Sequence, residues 1–227
     1  MTKETCLVVT TKSWNIEAFK NLQGKANVFW HIITNKENFT ADEIQRINPR
    51  YIFFPHWSYK VPAEIYENFE CVCFHMTDVP YGRGGSPLQN LIVRGHKDTK
   101  LTALRMVEEM DAGPVYMKQD LSLTGTAESI LKRASKLSFE MIERIVSENP
   151  QPVPQEGAVT AFKRRTPDES DIAGLKTADD IYNHIRMLDA EGYPHSYIET
   201  EKIRIEFEEA DIHGNKVTAK AIIKIKD

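Results

Sequence analysis

Residues 51–75 read YIFFPHWSYKVPAEIYENFECVCFH, and the order of their apolar and polar runs sets the expected architecture. Two short apolar runs, Tyr51–Phe54 and Cys71–His75, enclose a segment in which Pro62 precedes a short helical pattern. A strand, a helix and a second strand in this order form a βαβ unit with parallel strands. Ligands of such sheets lie at the carboxyl ends of the strands, so His75 is a candidate for a functional site.

The same alternation precedes this unit. Apolar runs and helical patterns follow one another in the order Thr5–Thr11, Trp14–Leu22 and Val28–Thr34. Thr40 with Glu43 is a capping-box signature for a helix near Ala41–Ile47. The first half therefore predicts an α/β fold with a Rossmann-like, mostly parallel sheet covered on both faces.

The segments after His75 continue the pattern. The loop Val79–Pro87 holds three glycines and two prolines and directly follows a strand, which indicates a functional loop. Strand-like runs follow at Leu101–Val107 and Val115–Leu123. From Thr126 to Asn149 the apolar positions repeat with a period of 3.6 residues, which predicts a long amphipathic helix.

The last third has a different character. After a Pro/Gln/Gly linker at 150–157 we expect a helix over Thr177–Leu188 and an antiparallel hairpin of Lys202–Phe207 and Val217–Ile225. We therefore divide the chain into a catalytic core, 1–150, and a C-terminal extension of linker, helix and hairpin, 151–227. A two-stranded hairpin is marginal alone, so it is expected to pack on the core or on a second subunit of a homodimer.

Composition bounds the function. The 227 residues are 41% hydrophobic and 27% charged, as in globular proteins and unlike disordered, fibrous or membrane chains. The net charge of −4 argues against a nucleic-acid partner. Three cysteines suit reduced thiols, no zinc pattern is present, and the start MTKETCLVVTT is too short for a signal sequence or a membrane span. We expect a cytoplasmic protein with no metal and no membrane partner.

A histidine and a carboxylate are candidates for acid–base chemistry. His75 ends a strand, and Asp111-Ala-Gly-Pro114 is an acidic turn that could reach the same edge of the sheet. A histidine there can remove a proton at neutral pH, with the carboxylate as its partner. The alternative is structural, with His75 bonded to a loop carbonyl and Asp111 capping a turn.

The local strings resemble a known family. His75-Met-Thr-Asp-Val-Pro80-Tyr-Gly-Arg83-Gly-Gly-Ser-Pro87, with Gly95 and Asp111-Ala-Gly-Pro114 downstream, is similar to formyltransferases that use 10-formyltetrahydrofolate. The resemblance covers roughly residues 5–190 and implies this co-substrate and no metal. The family's catalytic Asn, His and Asp correspond to Cys73, His75 and Asp111.

Cys73 departs from the family pattern. The family's Asn helps to hold the formyl oxygen as it becomes an oxyanion, and one such donor can be worth roughly 3 kcal/mol of barrier. A thiol is a weak donor. Either a backbone N–H or protonated His75 replaces it, or the protein is slow or inactive. Asn90 is a poor substitute because it is expected inside a helix.

The resemblance also implies binding residues. Trp57 and Tyr59 either flank the pterin or close the edge of the sheet, and Arg186 is either a family helix position or a surface ion pair. Arg164 and Arg165 are expected on a solvated face. The implied folate residues are Pro55, Trp57, Ser58, Tyr59, Met110, Ala112 and Gly113, and the implied substrate residues are Tyr81, Arg83 and Gly84.

The acceptor is chosen among the family's known substrates. Methionyl-tRNA formyltransferases carry an additional barrel domain of substantial size for the tRNA, and we expect this chain to lack it, because only about 50 residues remain after the region of the Arg186 helix. Glycinamide ribonucleotide transformylases have a glycine-rich turn where this chain reads Val8-Val-Thr-Thr-Lys-Ser-Trp14, without a glycine. The expected partner is therefore a nucleotide-linked amino-deoxy sugar, used for surface polysaccharides or in a pathway of the pseudaminic-acid type. A non-catalytic folate- or nucleotide-binding relative and a formyltetrahydrofolate hydrolase are the alternatives. The sequence does not identify the sugar, the nucleotide or the amine.

Overall fold

The computed structural model describes residues 3–22 and 28–226. Its central element is a six-stranded sheet with the strand order β2-β1-β3-β4-β6-β7. These strands are β1 (Glu4–Val9), β2 (Val28–Ile33), β3 (Tyr51–Phe54), β4 (Glu70–His75), β6 (Asp98–Arg105) and β7 (Val115–Ser122). The helices between them are α1 (Ser13–Lys20), α2 (Ala41–Ile47), α3 (Ala63–Tyr66) and α4 (Pro87–Val93), and α5 (Ala127–Glu148) follows the sheet.

The first four strands of the sheet form its parallel part. β1 pairs in parallel with β2 and β3, and β3 pairs in parallel with β4. Leu7, Ile52 and Phe54 are almost completely buried in one core cluster, because strands with helices on both faces have no solvated side. The α/β fold with a mostly parallel sheet is confirmed.

One pairing differs from a simple βαβ series. β6 runs antiparallel to β4, with His75 opposite Thr102. The chain reaches β6 after the loop at 79–87 and α4, and it returns along β4 in the opposite direction. β6 therefore lies directly beside β4, and the turn with Asp111 follows the end of β6.

The helix positions predicted from local sequence patterns agree with the structure. The Thr40 hydroxyl accepts a hydrogen bond from the Glu43 amide at 3.3 Å, as the capping pattern predicts, while the Glu43 carboxylate turns to Arg46. Asn48 ends α2 in the left-handed conformation, with φ of 46°. The periodic segment after Thr126 forms the 22-residue helix α5.

Two smaller sheets complete the fold. The glycine-rich loop contains β5 (Tyr81–Gly84), which pairs with β8 (Thr160–Phe162). The expected C-terminal helix is α6 (Ala178–Arg186), and the expected hairpin is β10 (Ile203–His213) with β11 (Lys216–Ile225). A third strand, β9 (Ser196–Glu199), pairs with β10 and was not predicted.

The chain divides into two compact units. The first comprises Met1–Arg83, Lys100–Leu121 and Lys132–Ala161, and the second comprises Gly84–Thr99, Ser122–Leu131 and Phe162–Asp227. The division after residue 150 into a catalytic core and an extension stays a prediction about function. Within the described ranges, no helix is both long and apolar enough to cross a membrane.

Candidate active site

A histidine and an aspartate from distant positions in the sequence meet in the first unit. His75 is the last residue of β4 and only 8% of its surface is exposed. Its Nδ1 lies 3.5 Å from Oδ2 of Asp111, whose side chain is 14% exposed. β6 ends with Arg105 opposite Val72, near the start of β4, and the turn that follows brings the Asp111 carboxylate back to His75. The structure thus brings together the pair that the sequence analysis selected.

The second ring nitrogen of His75 is held by the glycine-rich loop. Nε2 lies 2.8 Å from the carbonyl oxygen of Gly82, which also accepts a hydrogen bond from the Thr77 hydroxyl at 3.3 Å. A carbonyl oxygen can only accept, so Nε2 carries a proton and donates it. In the neutral ring the lone pair is therefore on Nδ1, the atom that faces Asp111.

The aspartate turn is fixed by close backbone packing. Asp111 has φ of 54°, a left-handed conformation that few residues other than glycine adopt. A Cβ on Gly113 would lie 1.9 Å from the carbonyl oxygen of Arg105, so only glycine fits there. The Arg105 amide also donates to the Pro114 carbonyl at 2.9 Å. This packing ties the turn to the end of β6.

Cys73 points its thiol at a neighbouring strand. It shares a face of β4 with His75, since alternate residues of a strand point to the same side. Its Sγ donates to the Leu104 carbonyl at a distance of 3.7 Å. Burial, together with the negative charge of Asp111, raises the pKa of the thiol. Cys73 is thus a neutral thiol whose hydrogen is already engaged, which argues against a nucleophile and against a strong oxyanion donor.

The loop after β3 carries the implied folate residues. Pro55 is buried, and its carbonyl accepts a hydrogen bond from Asn15 at 2.9 Å. Trp57 packs edge-on against Phe39 and Tyr59, with ring centroids 5.5 and 5.0 Å apart, and its Nε1 is buried without a hydrogen-bond partner among the described residues. Trp57 therefore borders the core, and its contact with a pterin stays a prediction.

The remaining implied residues differ in accessibility. Ser58 and Tyr59 are exposed, and Lys36 lies 4.8 Å from the centre of the Tyr59 ring. Met110, beside Asp111, is 69% exposed. Ala112 is half-buried and Gly113 is buried. Exposed apolar surface therefore lies directly beside the catalytic candidate Asp111.

The implied substrate residues lie on β5. Tyr81 is half-buried. The guanidinium of Arg83 donates to Oε1 of Gln155 from Nε and Nη2, at 3.1 and 2.9 Å, and lies 3.2 Å from a carboxylate oxygen of Glu109. Gly84 has φ of 105°, and a Cβ there would lie 2.5 Å from the Phe162 carbonyl oxygen. Arg83 is thus already held by protein partners, and its role in binding stays a prediction.

Other residues from the sequence analysis lie in the second unit and have structural contacts. Asn90 donates to the carbonyls of Gly85, Ser86 and Lys163, which agrees with the expectation that it does not replace the family Asn. Arg186 is buried and donates to the carbonyls of Leu123 and Gly125, so the surface ion pair considered for it is wrong. Arg164 is exposed as expected, whereas the Arg165 side chain is only 16% exposed and contacts Glu169, so the solvated face expected for Arg165 is wrong.

Sequence reasoning missed two partners of the pair. The Gly82 carbonyl gave no signal, because any residue carries a carbonyl group. Gln155 lies in the linker, and its side chain contacts both Arg83 and the aspartate turn. Its only signal was a polar side chain in a proline-rich segment, a pattern shared by ordinary linkers.

Comparison with known proteins was made by sequence and by structure. A family model described as the C-terminal domain of methionyl-tRNA formyltransferase matches residues 167–224. The methionyl-tRNA formyltransferase of Gluconobacter oxydans is 34% identical over 121 residues, which cover 52% of this chain and 40% of that enzyme. The chain spans between 40% and 64% of the length of this and similar curated relatives.

Solved structures give a longer match. A methionyl-tRNA formyltransferase from Clostridium thermocellum is 46% identical, has a TM-score of 0.95, and aligns over 98% of this chain and 100% of its own. A 4-N formyltransferase from Francisella tularensis aligns over the whole of both chains with a TM-score of 0.70 and 16% identity, which shows a shared fold.

These findings correct one step of the sequence analysis. The match at 167–224 contradicts the expectation that the chain lacks the C-terminal element of methionyl-tRNA formyltransferases. The length of the chain therefore gives no ground to exclude a tRNA partner. The restriction of the acceptor to a nucleotide-linked amino sugar is not supported by the relatives named above.

Proposed function

The chain belongs to the formyltransferase family, and from this premise we propose that it transfers the formyl group of 10-formyltetrahydrofolate to a primary amine. One observation supports this most directly. Nδ1 of the buried His75 lies 3.5 Å from the Asp111 carboxylate while Nε2 is held by a backbone carbonyl. This arrangement leaves Nδ1 as the basic nitrogen of the neutral ring, and the neighbouring carboxylate stabilises the imidazolium that forms when Nδ1 takes a proton.

His75 moves the proton in the proposed reaction. The acceptor nitrogen forms a bond to the formyl carbon and loses a proton to Nδ1 of His75. The bond from the formyl carbon to N10 of the folate breaks, and N10 takes a proton from the same imidazolium. Asp111 stabilises the imidazolium while it exists, since its carboxylate faces the Nδ1–H. The products are a formamide and tetrahydrofolate, with no net change in protons.

The residues that the resemblance implies for the folate offer aromatic and apolar surface. Trp57 has a buried N–H without a hydrogen-bond partner in the described ranges, and Tyr59 and Met110 expose apolar surface. The co-substrate, when bound, supplies an activated formyl carbon. Pro55, Trp57, Ser58 and Tyr59 would hold it from the loop after β3, and Met110, Ala112 and Gly113 would hold it from the aspartate turn.

The oxyanion donor of this proposal is a backbone N–H, because Nε2 of His75 bonds to the Gly82 carbonyl and Nδ1 faces Asp111. Cys73 cannot supply a strong hydrogen bond, because a thiol is a weak donor and this one already donates to Leu104. In this proposal the role of the family's Asn carboxamide is taken by a group other than Cys73, which occupies the position of that Asn.

Methionyl-tRNA is the first candidate acceptor. The family model that matches residues 167–224 describes the C-terminal domain of methionyl-tRNA formyltransferase, and the C. thermocellum and G. oxydans proteins bear the same name. The similarity to the C. thermocellum protein extends over essentially the whole of both chains, which favours a shared substrate.

A nucleotide-linked amino sugar is the second candidate, favoured by charge. Residues 167–224 contain 7 Lys and Arg against 13 Asp and Glu. Binding of RNA depends on basic groups that neutralise phosphates, so an acidic segment is poorly suited to hold a tRNA. A small acceptor with one or two phosphates needs only a local cation such as Arg83.

An acceptor panel tests the function. Purified protein is incubated with 10-formyltetrahydrofolate and either methionyl-tRNA, a set of nucleotide-linked 4-amino sugars, or buffer, and tetrahydrofolate is measured. Turnover with one acceptor class and not with buffer is the expected result. Equal turnover in buffer would show the hydrolase, and binding of folate without turnover would show the non-catalytic relative.

A further inference from the structure

Gln155 joins two parts of the candidate site through a single carboxamide. Its Nε2 donates to the carbonyl oxygens of Asp111 and Gly113, each at 2.8 Å. Its Oε1 accepts from Nε and Nη2 of Arg83, at 3.1 and 2.9 Å. The two amide hydrogens of the side chain thus bind the aspartate turn, and its oxygen binds the arginine of the glycine-rich loop.

The backbone around Gln155 is pinned on both sides. Val153 exchanges two backbone hydrogen bonds with Val115, at 2.7 and 2.9 Å, so the linker joins the start of β7. The Thr160 amide donates to the Pro80 carbonyl at 3.2 Å, which fixes the other end of the linker against the glycine-rich loop. The side chain of Gln155 is therefore presented by an anchored segment.

Gln155 supports a turn with unfavourable backbone geometry. Asp111 has φ of 54°, a left-handed conformation that costs energy in a residue with a side chain, although aspartate adopts it more often than most. Gln155 binds the carbonyls of residue 111 itself and of the residue two positions later, so it spans the strained backbone. A shift of this backbone would change the distance from Oδ2 of Asp111 to Nδ1 of His75.

We propose that Gln155 is a positioning residue, which holds the Asp111 carboxylate against His75 and couples that turn to Arg83. The proposal rests on the proposed formyl transfer for its kinetic consequence and on the hydrogen bonds above for its structural one. Occupation of Arg83 by an anionic group of the acceptor would act on the aspartate turn through the same carboxamide.

Two variants and a control separate the roles. Gln155→Leu removes all of these hydrogen bonds, whereas Gln155→Glu keeps the acceptor for Arg83 and loses both donors to the turn. We expect kcat to fall by roughly 10- to 100-fold in both variants, because small misplacements of catalytic groups cost up to about 100-fold. Gln151→Leu, at an exposed position of the same linker, should keep the parent kcat.

The two variants should differ in the KM of the acceptor. Gln155→Leu frees the Arg83 guanidinium and is expected to change this KM several-fold. Gln155→Glu, which still holds the guanidinium, should leave it near the parent value. The KM for 10-formyltetrahydrofolate and the melting temperature should change little in either variant. If Gln155 only stabilised the fold, the melting temperature would fall instead.

A second readout does not depend on activity. The ¹⁵N signals of the His75 ring, recorded at one pH in histidine-labelled protein, report the partner of Nδ1. They should shift in both Gln155 variants and stay in place in Gln151→Leu. If the parent fails to turn over any acceptor, the proposed function fails while these signals still decide the positioning role. Unchanged signals, or a kcat of Gln155→Leu within twofold of the control, would overturn it.

Discussion

His75 is the residue on which the chemistry depends, and its tautomer is set by a backbone atom. The carbonyl of Gly82 accepts a hydrogen bond from Nε2 at 2.8 Å, and the carboxylate of Asp111 faces Nδ1 at 3.5 Å. A side-chain substitution cannot remove this carbonyl, but Gly82 has φ of 77°, so a residue with a Cβ there would strain the loop that carries it. The two side chains whose substitution tests the proposed chemistry directly are His75 and Asp111.

His75→Asn and Asp111→Asn are each expected to lower kcat by at least about 100-fold, the contribution of positioned acid–base catalysis. The first removes the base, and the second leaves the imidazolium without its counter-charge. Steady-state kinetics with the best acceptor, together with circular dichroism to verify folding, measure this. His31→Asn, at an exposed position of β2, is the control. Near-parent activity of either site variant would make that residue structural.

Cys73→Ala is expected to change kcat by less than a few fold, because the Cys73 thiol donates to the Leu104 carbonyl and its pKa is raised by burial. Cys73→Asn, which restores the family residue, should likewise raise the rate by no more than a few fold. Single-turnover rates of both variants provide the measurement. A gain above about 100-fold in Cys73→Asn would show that the chain lacks an oxyanion donor which the carboxamide can restore.

β11 is an edge strand with exposed apolar residues. It lies at the edge of the C-terminal sheet, where its outer N–H and C=O groups are without a neighbouring strand of that sheet. Ile223 and Ile225 pair with Ile205 and Ile203 of β10, and they are 63% and 79% exposed. Apolar residues on a free edge indicate a covering partner.

We predict that a second copy of the chain covers this edge, as the sequence analysis expected for the hairpin. Ile223→Lys should then convert a dimer into a monomer, because a charge replaces an apolar contact. Thr218→Lys, on the other face of the same strand, is the matched control and should leave the mass unchanged. Light scattering over a range of concentrations measures both. A parent protein that is monomeric throughout would refute the dimer.

At the scale of the whole molecule, sequence likeness and charge favour different acceptors. Sequence likeness to proteins named methionyl-tRNA formyltransferases extends into residues 167–224, while that same segment is acidic. The sequence likeness and the acidic charge are compatible if residues 167–224 serve in dimer formation rather than in the binding of RNA. The test of the β11 edge therefore also bears on the choice of acceptor.

The sequence by itself determined the features that depend on local periodicity and spacing. The alternation of apolar runs predicted the parallel sheet, Thr40 predicted the start of α2, and the 3.6-residue repeat predicted α5. The spacing of His75 and Asp111 selected the pair that the structure brings together. The sheet and helix predictions succeeded because each pattern reports on neighbours within a few residues, whereas the distant pair was selected because its two motifs resemble those of a known family.

Only the tertiary structure decided how distant segments meet. The antiparallel return of β6 along β4, the Gly82 carbonyl on Nε2 and the carboxamide of Gln155 all join residues that no periodicity relates. The burial of Arg186 against two carbonyls belongs to the same class. Contacts between segments that are distant in sequence depend on where each loop closes, and a hydrogen bond to a backbone carbonyl requires no particular residue there, so the sequence carries no local mark of either.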